Sequence, residues 1–305
     1  MMNPDSGCDI EDIPLVFDED GLRRFEKFLV ITNQQACDLH CPWCTGKATN
    51  YPFGDDQLEE LVCCLEHTRR AGIRFNMGII SGNGEPSFLG YEDLRKIRDT
   101  LKTQHFEEYL FQTGGNLFWD TKKFELFWDW TMELTRGAFD PKRDMTMRGY
   151  KRDYTKTETF RKARLGLNIT LIEENLPDLP NEIDRYLNAF GDRLVRLTLK
   201  VLNINTRTGK PDNPYSQWVF DHGVPPEKSE TVAELVSSRY SLKQEYDPVL
   251  DRIVWDACDV PLIMEMKKRR YGRLHMAFSQ GKLQDYLLRQ FSFPSNDRLG
   301  SFVLR

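Results

Sequence analysis

Short apolar runs and helical segments alternate along the first two thirds of the chain. The apolar runs predict buried strands, and the segments in which apolar residues recur at three- and four-residue spacing predict helices. The predicted strands cover residues 27–32, 75–81, 109–115, 132–137, 165–172 and 193–203. The predicted helices cover residues 55–72, 91–103, 121–130 and 179–191.

This alternation, repeated about six times, is typical of parallel βαβ units. Such units close into a barrel or a partial barrel, with the functional site at the C-terminal ends of the strands. We therefore expect an α/β fold with a partial (β/α)6 TIM-like barrel over residues 27–205. Residues 1–26 are expected to be a loosely attached acidic leader. Residues 206–305 break the rhythm and are expected to be a substrate-side extension that caps the barrel mouth.

Composition narrows the class of protein. The 305 residues are 40% hydrophobic and 29% charged, which fits a globular protein with a sizeable core. The net charge of −5 argues against a general nucleic-acid coat or a membrane-surface protein. No apolar run approaches the length of a membrane span, and the first residues lack the apolar segment of a signal peptide. Seven cysteines, clustered rather than spread, fit a reducing cytoplasm and metal chemistry better than disulfides.

The sequence CDLHCPWC at residues 37–44 places Cys37, Cys41 and Cys44 on one short loop. Three thiolates so close together can converge on one metal centre, and three unrelated buried thiols are a poor explanation of this density. A zinc site would need a fourth ligand, for which His40 or His67 is available.

Iron–sulfur clusters are the other metal interpretation of this loop. A four-cysteine cluster would need a fourth cysteine, and Cys63, Cys64 and Cys258 all lack the usual short spacing. A [4Fe–4S] cluster held by only three cysteines would instead leave one iron open to bind a small molecule.

The C-x3-C-x2-C spacing, with Trp43 just before the last cysteine, resembles the radical S-adenosylmethionine (radical SAM) superfamily. The resemblance implies that Cys37, Cys41 and Cys44 hold a [4Fe–4S] cluster. It also implies that the open iron is chelated by the amino and carboxylate groups of S-adenosyl-L-methionine. Trp43 would then contact the adenine. The three-cysteine count is explained because the cofactor itself supplies the fourth ligand.

A second motif, SGNGEP at residues 81–86, follows the cysteine loop after one predicted helix and one predicted strand. It resembles the GGEP segment of the same family, which receives the methionine amino group. The corresponding residues here are Gly82, Asn83, Gly84, Glu85 and Pro86, so an asparagine separates the two glycines. Glycines let the backbone approach a ligand closely, and Glu85 offers a carboxylate to an ammonium group. A tight turn is the plain alternative for such a segment.

Four further positions follow from their places in the predicted barrel. Thr135 and Arg136 end the fourth strand, where the family touches the ribose or the methionine carboxylate, and a guanidinium suits a carboxylate. Asn168 in the fifth strand would reach the ribose hydroxyls. Asn203 follows the sixth strand, where the family contacts adenine through the backbone. Each also has an ordinary interpretation as a strand residue or a turn residue.

The resemblance implies a reaction. A reductant such as flavodoxin or ferredoxin reduces the cluster, which passes an electron to the sulfonium, and the resulting 5′-deoxyadenosyl radical removes a hydrogen atom from an organic substrate. The protein supplies orientation and a dry site. Only Cys258 lies beyond residue 64, which argues against a second cluster, and the length leaves no room for a cobalamin-binding domain.

Two features bear on the substrate. Residues 136–164 hold ten Arg or Lys against four Asp or Glu, which is either a solvated face or an electropositive rim that attracts an anionic substrate. Cys258 is either a small buried residue or, as in family members that epimerise a stereocentre, a thiol that returns a hydrogen atom to the substrate radical.

The sequence leaves three function classes. The first is a radical enzyme acting on an anionic small molecule, such as a nucleotide, a sugar or a related biosynthetic compound. The second is a radical enzyme acting on a peptide or protein as an epimerase, activase or maturation enzyme. The third and most distant is a non-enzymatic zinc or iron–sulfur protein.

Overall fold

The chain was analysed as a computed structural model. The structure describes residues 23–32, 37–44, 55–70, 73–82, 84–149, 152–202, 214–225, 228–247, 252–265, 275–279 and 282–285. The described strands are β1 (Arg23–Thr32), β2 (Ile73–Gly82), β3 (Glu108–Thr113), β4 (Thr131–Arg136), β5 (Arg164–Leu171), β6 (Leu194–Val201), β7 (Ser241–Asp247), β8 (Arg252–Ala257), β9 (Val260–Glu265), β10 (His275–Ser279) and β11 (Lys282–Asp285). The described helices are α1 (Asp55–Arg70), α2 (Tyr91–Lys102), α3 (Thr121–Leu126), α4 (Pro141–Arg148), α5 (Glu158–Lys162), α6 (Leu179–Phe190), α7 (Pro214–His222) and α8 (Ser229–Ser237).

The described strands form one eleven-stranded sheet in the order β11-β10-β1-β2-β3-β4-β5-β6-β9-β8-β7. Strands β1 to β6 are neighbours in sequence order, and each pairs in parallel with the next. This confirms the α/β fold of parallel units that the sequence predicted. The first strand begins at Arg23, four residues before its predicted start, so β1 extends into the segment that was expected to be a leader.

Contacts between distant strands show that the sheet curls into a partial barrel. Strands lie about 4.8 Å apart, so in a flat sheet β2 and β6 would be about 19 Å apart. Instead, Arg196 of β6 reaches the sulfur of Met77 of β2 at 3.5 Å. Arg252 of β8 pairs with Glu26 of β1 at 2.5 Å, although six strands separate these two in the sheet.

The outer face of the barrel is apolar and packs against the helices. Helix α2 illustrates the pattern, because Leu94, Ile97 and Leu101 recur at three- and four-residue spacing and all are fully buried. Phe28 and Val30 of β1 are likewise fully buried. Burying each such side chain contributes about 1.5–3 kcal/mol to folding. This shared core holds the C-terminal strand ends in place, and the candidate site is built on those ends.

The inner face of the barrel carries polar side chains. Glu133 of β4 pairs with Arg196 at 3.0 Å and accepts a hydrogen bond from Gln112 of β3. Arg196 also pairs with Glu108 at 3.2 Å. A Cβ atom at Gly166 would meet the Arg196 guanidinium at 3.4 Å, so the glycine leaves room for it. Burial alone would raise the pKa of Glu133, but the positive charges of Arg196, Lys200 and Lys27 lower it to about 2.

The residues after β6 are placed in a way that the sequence did not predict. Strands β9, β8 and β7 continue the sheet beyond β6, and β10 and β11 extend it beyond β1. Only β9 and β10 run parallel to their barrel neighbours, while β7, β8 and β11 pair antiparallel. Helix α7 contacts the cysteine loop, as a cap would. None of the described helices is long and apolar enough to cross a membrane.

Candidate functional site

The cysteine loop follows the C-terminal end of β1. Cys37, Cys41 and Cys44 are all partly buried, and a turn in which the Cys44 amide donates to the Cys41 carbonyl at 3.1 Å joins the last two. Leu39 anchors the loop, because its side chain is only 5% exposed while its neighbours Asp38 and His40 are exposed. The thiols therefore lie on a loop whose Leu39 side chain is part of the core, with Cys37 and Cys41 packed against it.

Main-chain contacts fix the loop against α4. The His40 amide donates to the Arg148 carbonyl at 2.7 Å, in the last turn of that helix. Helix α4 ends at Gly149, whose φ of +69° is in the left-handed region that favours glycine. A Cβ atom on Gly149 would meet the Cβ atom of His40 at 3.0 Å, so the glycine also permits the close approach of the loop.

Gly114, just after β3, is where the two predicted motifs meet. A Cβ atom there would meet Leu39 Cδ1 at 2.4 Å and Glu85 Oε2 at 3.0 Å. The cysteine loop and the turn at residues 84–86 therefore both pack on one glycine. The side-chain amide of Asn116, two residues further on, donates a hydrogen bond to the Asp38 carboxylate at 2.5 Å. This bond connects the cysteine loop to the end of β3.

The electrostatic environment differs between the thiols. Burial, together with the nearby charges of Glu85, Cys41 and Asp38, raises the pKa of Cys37 to about 11, although a backbone hydrogen bond from Leu39 opposes the rise. Burial also raises the pKa of Cys41, but the positive charge of the nearby Arg148 guanidinium opposes the rise. Thiolates must form for metal binding, so a bound cation would have to stabilise them against this burial.

Three cysteines on one short loop are the donor set that a cluster held by three thiolates would need. Among the described residues, no group of three or more His, Cys, Asp or Glu side chains is assembled for a single metal ion. A cluster differs from a single ion because each cysteine binds a different iron, so the thiolates stand farther apart around it. For the zinc interpretation, the His40 side chain is exposed and packs over Gly149, and the His67 side chain lies outside the described residues.

The Glu85 carboxylate has a structural role that the sequence did not predict. The side chain is 1% exposed and accepts hydrogen bonds from the Thr113 hydroxyl at 2.7 Å, the Gly114 amide at 2.5 Å and the Ser87 amide at 3.2 Å. Burial raises the pKa of this carboxyl, while these donors oppose the rise. Because Glu85 binds the end of β3 and its own turn, it does not present a free carboxylate to an ammonium group. The turn can offer backbone carbonyls instead.

The neighbouring glycine and proline are explained by close packing. Gly82 pairs with Thr32 at the ends of β2 and β1, and a Cβ atom there would meet the Thr32 carbonyl oxygen at 2.9 Å and Pro86 at 3.3 Å. Pro86 is buried and begins a short 3-10 helix at Pro86–Phe88. Gly84 lies in the turn between Gly82 and Glu85. Asn83 lies outside the described residues.

Trp43 is enclosed between the barrel and the C-terminal extension. A Cβ atom at Gly137, just after β4, would meet the Trp43 ring at 2.9 Å. On another side, the ring of Trp218 on α7 lies with its centroid 5.5 Å from that of Trp43. Trp218 in turn stacks on His222 at 4.7 Å, and His222 pairs with Glu174 at 2.5 Å. This row of side chains fixes α7 beside the cysteine loop.

Two of the weaker sequence candidates lie side by side within the sheet. Thr135 of β4 is the register partner of Asn168 of β5, which is the partner of Thr198 of β6. Asn168 is 2% exposed, and its Oδ1 atom has no hydrogen-bond partner among the described residues. An acceptor buried in this way needs a donor from a ligand or water. Asn203 lies outside the described residues.

Arg136 is placed differently from its prediction. It is 2% exposed, and its Nε atom lies 2.8 Å from the carboxylate of Asp144 in α4. It also donates to the Ala138 and Phe139 carbonyls and to the Tyr154 hydroxyl, each at 3.3 Å. The guanidinium therefore fastens α4 to β4 and is not offered to a cofactor carboxylate. The alternation of side chains along β4 explains this, because Arg136 and Thr135 point to opposite faces.

Cys258 is placed where it cannot act as the predicted hydrogen donor. It is exposed, in the two-residue turn between β8 and β9, where Cys258 and Asp259 have φ values of 56° and 65°. Because β9 runs parallel to β6 and begins at this turn, Cys258 lies at the N-terminal ends of the parallel strands. The cysteine loop lies at the opposite ends, and this corrects the prediction.

The basic segment 136–164 is not one continuous rim. Arg136 and Arg148 are buried, Lys156 pairs with Asp153, and Lys162 pairs with Glu158. The segment crosses from the C-terminal end of β4 to the N-terminal end of β5, so its charges lie at both ends of the barrel. Lys142 and Arg143 are exposed in the first turn of α4, the helix whose last turn contacts the cysteine loop.

The structure adds four residues that the sequence did not single out. Gly114 and Gly137 each follow a strand. A glycine directly after a predicted parallel strand could have drawn attention to Gly114, which lies in the sequence TGG at residues 113–115. Arg148 was only one of ten basic residues in its segment. Trp218 gave no signal, because the pairing of α7 with the loop depends on residues far apart in sequence.

Comparison with known proteins gives a result only at the level of structure. No protein-family model and no curated protein matches the chain by sequence. The structure of SuiB from Streptococcus suis bound to S-adenosylmethionine matches with a TM-score of 0.51 and 14% identity, over 71% of this chain and 48% of SuiB. SuiB bound to its precursor peptide SuiA matches with a TM-score of 0.51 and 12% identity, over 86% of this chain and 60% of SuiB.

A third structure, native anSMEcpe with bound AdoMet and the peptide Cp18Cys, matches with a TM-score of 0.51 and 15% identity. The match covers 70% of this chain and 59% of anSMEcpe. The chain thus spans between about half and three fifths of these proteins. At such identities the likeness is one of fold: the chain shares the partial TIM-like barrel of these structures.

Proposed function

We propose that this chain is a radical SAM enzyme, which holds a [4Fe–4S] cluster at Cys37, Cys41 and Cys44 and cleaves S-adenosylmethionine reductively. One observation supports this most directly. In a barrel with the radical SAM fold, the cysteine loop and the turn at residues 84–86 pack on the same glycine, Gly114, at the C-terminal ends of the first strands. Once bound and reduced, the cluster and S-adenosylmethionine supply a 5′-deoxyadenosyl radical that removes a hydrogen atom from an organic substrate.

The residues of the chain have distinct roles in this proposal. The three thiolates bind iron, and the backbone carbonyls of Gly82 and Gly84 accept hydrogen bonds from the methionine amino group, for which Asn83 stays a prediction. Glu85 and Pro86 shape that turn rather than bind the cofactor directly, since the Glu85 carboxylate is occupied by Thr113, Gly114 and Ser87.

The remaining cofactor contacts come from the barrel and the extension. Trp43 lies beside the adenine, and α7 excludes water on its outer side because Trp218 covers part of the Trp43 ring. The unpartnered Oδ1 of Asn168 accepts a hydrogen bond from a ribose hydroxyl, next to Thr135. Asn203 stays a prediction for the adenine contact. A small reductant such as flavodoxin or ferredoxin, in a reducing cytoplasm, would supply the electron.

The test is anaerobic incubation of the iron-loaded protein with S-adenosylmethionine and dithionite, followed by measurement of 5′-deoxyadenosine. The wild type should form it and Cys41→Ala should not. Cys63→Ala is the matched control, since Cys63 is exposed on α1 and should be dispensable. Broad absorption near about 400 nm should accompany the active protein, because an iron–sulfur cluster is coloured and zinc is not. Colourless protein with bound zinc and no product would overturn the proposal.

We propose an anionic small molecule, such as a nucleotide or a sugar derivative, as the substrate. Its support is the exposed pair Lys142 and Arg143 on α4, the helix whose end contacts the cysteine loop. Basic side chains at the rim of a site attract anions over distances near the Debye length. The neutralising variant Lys142→Gln with Arg143→Gln should raise KM for such a substrate and leave substrate-free cleavage unchanged.

A peptide substrate is the second candidate. It is favoured because two of the matching structures, SuiB with SuiA and anSMEcpe with Cp18Cys, contain peptides. The two candidates are separated by offering deuterated peptides and deuterated anionic metabolites and by measuring deuterium in the 5′-deoxyadenosine. Only a molecule from which hydrogen is removed transfers its label.

A further inference from the structure

The side chains of β6 alternate between the apolar core and the inside of the barrel. Leu197 and Leu199 are fully buried in the core. Arg196 faces inward, because its guanidinium pairs with the Glu133 carboxylate of β4 at 3.0 Å inside the barrel. Lys200 lies four residues after Arg196 and so points to the same face of the strand. Burial raises the pKa of Glu133, and the charge of Lys200 is one of those that lower it, which agrees with an inward position.

Lys200 lies near the C-terminal end of its strand, where the candidate site is built. At about 3.3 Å per residue, four residues of strand place it about 13 Å beyond Arg196 toward that end. Its register partner on β5 is Thr170, two residues beyond Asn168. Asn168 carries the unpartnered oxygen to which the proposed function assigns a ribose hydroxyl. Lys200 is therefore one inward-facing position nearer to the barrel mouth than the level of Asn168.

The Lys200 ammonium has no ion-pair partner in the part of the chain that the structure describes. Arg196 differs, because it pairs with both Glu133 and Glu108. Lys200 is partly buried and forms no hydrogen bond or ion pair with a described residue. Glu265 of β9 is its register partner, but the described contacts include no ion pair between the two. A charge partly withdrawn from water without a partner costs free energy, and an anion bound beside it would offset that cost.

We propose that Lys200 anchors the substrate by binding an anionic group, a phosphate or a carboxylate, inside the barrel. The inference rests on the proposed function and deepens it, since it assigns the residue that selects an anionic substrate. A lysine ammonium is a compact charge with three donors, which suits the oxygen atoms of either group. Inside the barrel the attraction is stronger than at the exposed Lys142 and Arg143, because less water screens it. The surface pair attracts the substrate, and Lys200 holds it.

The experiment is calorimetric titration of the iron-loaded protein with inorganic phosphate and, separately, with acetate, under anaerobic conditions at low ionic strength. Each titration is carried out with and without S-adenosylmethionine. The wild type should bind at least one of the two anions, and the one bound more tightly identifies the group that the substrate carries. Lys200→Gln removes the charge and should weaken that binding at least tenfold, whereas Lys200→Arg keeps the charge and should lose less. Lys162→Gln is the matched control, since it removes the same charge from an exposed lysine on α5 and should bind normally.

The affinity for S-adenosylmethionine is measured in the same variants, because the cofactor also carries a carboxylate. It should be unchanged in Lys200→Gln. A loss of cofactor affinity as large as the loss of anion affinity would place Lys200 in the cofactor site and overturn the inference. Equal anion affinities in Lys200→Gln and the wild type, including no detectable binding by either, would overturn it as well.

Circular dichroism verifies that each variant is folded. Should Lys200→Gln lose its fold, Lys200→Met, which nearly matches the lysine side chain in length without its charge, takes its place under the same criteria. A wild type that binds an anion through Lys200 but forms no 5′-deoxyadenosine would instead overturn the proposed function. A wild type that forms 5′-deoxyadenosine but binds neither anion would overturn the role of Lys200 alone.

Discussion

The indole of Trp218 lies against the indole of Trp43, with ring centroids 5.5 Å apart and planes inclined by 46°. The two residues are 175 positions apart in the chain. One belongs to the cysteine loop and the other to α7 of the C-terminal extension. The contact makes α7 of the extension part of the candidate site, whereas the strands of the extension lengthen the sheet.

Replacing Trp218 by alanine should weaken the binding of S-adenosylmethionine about tenfold. An aromatic contact of this kind contributes about 0.5–1.5 kcal/mol in addition to the burial of its surface, and without it the Trp43 ring would no longer be held in place on that side. Iron content should stay unchanged, since the cysteines and not Trp218 are the proposed iron ligands. The measurement is equilibrium binding of the cofactor to the iron-loaded protein under anaerobic conditions. Phe220→Ala, on the same helix but 60% exposed, is the control and should bind normally. Equal affinities in the two variants would show that α7 does not shape the cofactor site.

Gly114→Ala should displace the cysteine loop. The new methyl group would lie 2.4 Å from Leu39 Cδ1 and 3.0 Å from Glu85 Oε2, both buried, so the loop or the turn must shift. We expect a large loss of bound iron after reconstitution. Adding Leu39→Ala should restore much of that iron, because it removes the closer of the two clashes. Iron and sulfide analysis of the two variants decides, and an unimpaired Gly114→Ala protein would contradict the packing argument.

How far the sequence predicts this fold follows from which interactions are local. The strands and helices of the barrel arise from residue spacing within each segment, and their predicted bounds differ from the observed ones by a few residues, as at β1 and α3. The cysteine and GEP motifs are also local, so their positions at strand ends were predictable. Helix α4, which has Asp140 as its N-cap and Gly149 as its C-cap, was foreseen only as one alternative for its segment, and its bounds were not predicted.

The sequence could not reveal side-chain partnerships made across the fold. Glu85 was assigned to the cofactor, but its partners are Thr113 and Gly114, 28 and 29 residues away. Arg136 was assigned by strand position alone, and the parity of β4 directs it outward to Asp144. Cys258 was proposed as a hydrogen donor because it is the only cysteine beyond residue 64. Only the parallel pairing of β9 with β6 shows at which end of the barrel it lies.

Cys258→Ala should leave the reaction unchanged. The thiol is exposed in a hairpin turn at the end of the barrel away from the cysteine loop, so a substrate radical formed near that loop cannot reach it. Product amount, product stereochemistry and deuterium incorporation from deuterated water should all equal those of the wild type. A variant that accumulates a different product would restore the hydrogen-donor role and require a large movement of the β8–β9 turn.

The Glu133–Arg196 pair inside the barrel should make stability depend on acid pH. Its neighbours lower the pKa of Glu133 from 4.5 to about 2 in the folded protein. A depressed carboxyl pKa contributes stability that is fully present above the unfolded pKa and is lost as pH falls through the folded one. The window is therefore pH 4.5 down to about 2, and the contribution at pH 7 is on the order of 3 kcal/mol.

Glu133→Gln should accordingly be less stable than the wild type at pH 7 by about that amount. The difference should shrink as the pH falls below 4.5, because the carboxyl is then protonated in the unfolded wild type, and it should vanish as the folded carboxyl is protonated near pH 2. Urea unfolding followed by circular dichroism, at a series of pH values in matched preparations, measures both quantities. Glu158→Gln is the control, since its exposed pair with Lys162 is screened by solvent and should have no measurable effect. A destabilisation by Glu133→Gln that is the same at pH 7 and at pH 3 would mean that packing of the side chain, and not its ion pair with Arg196, stabilises the inside of the barrel.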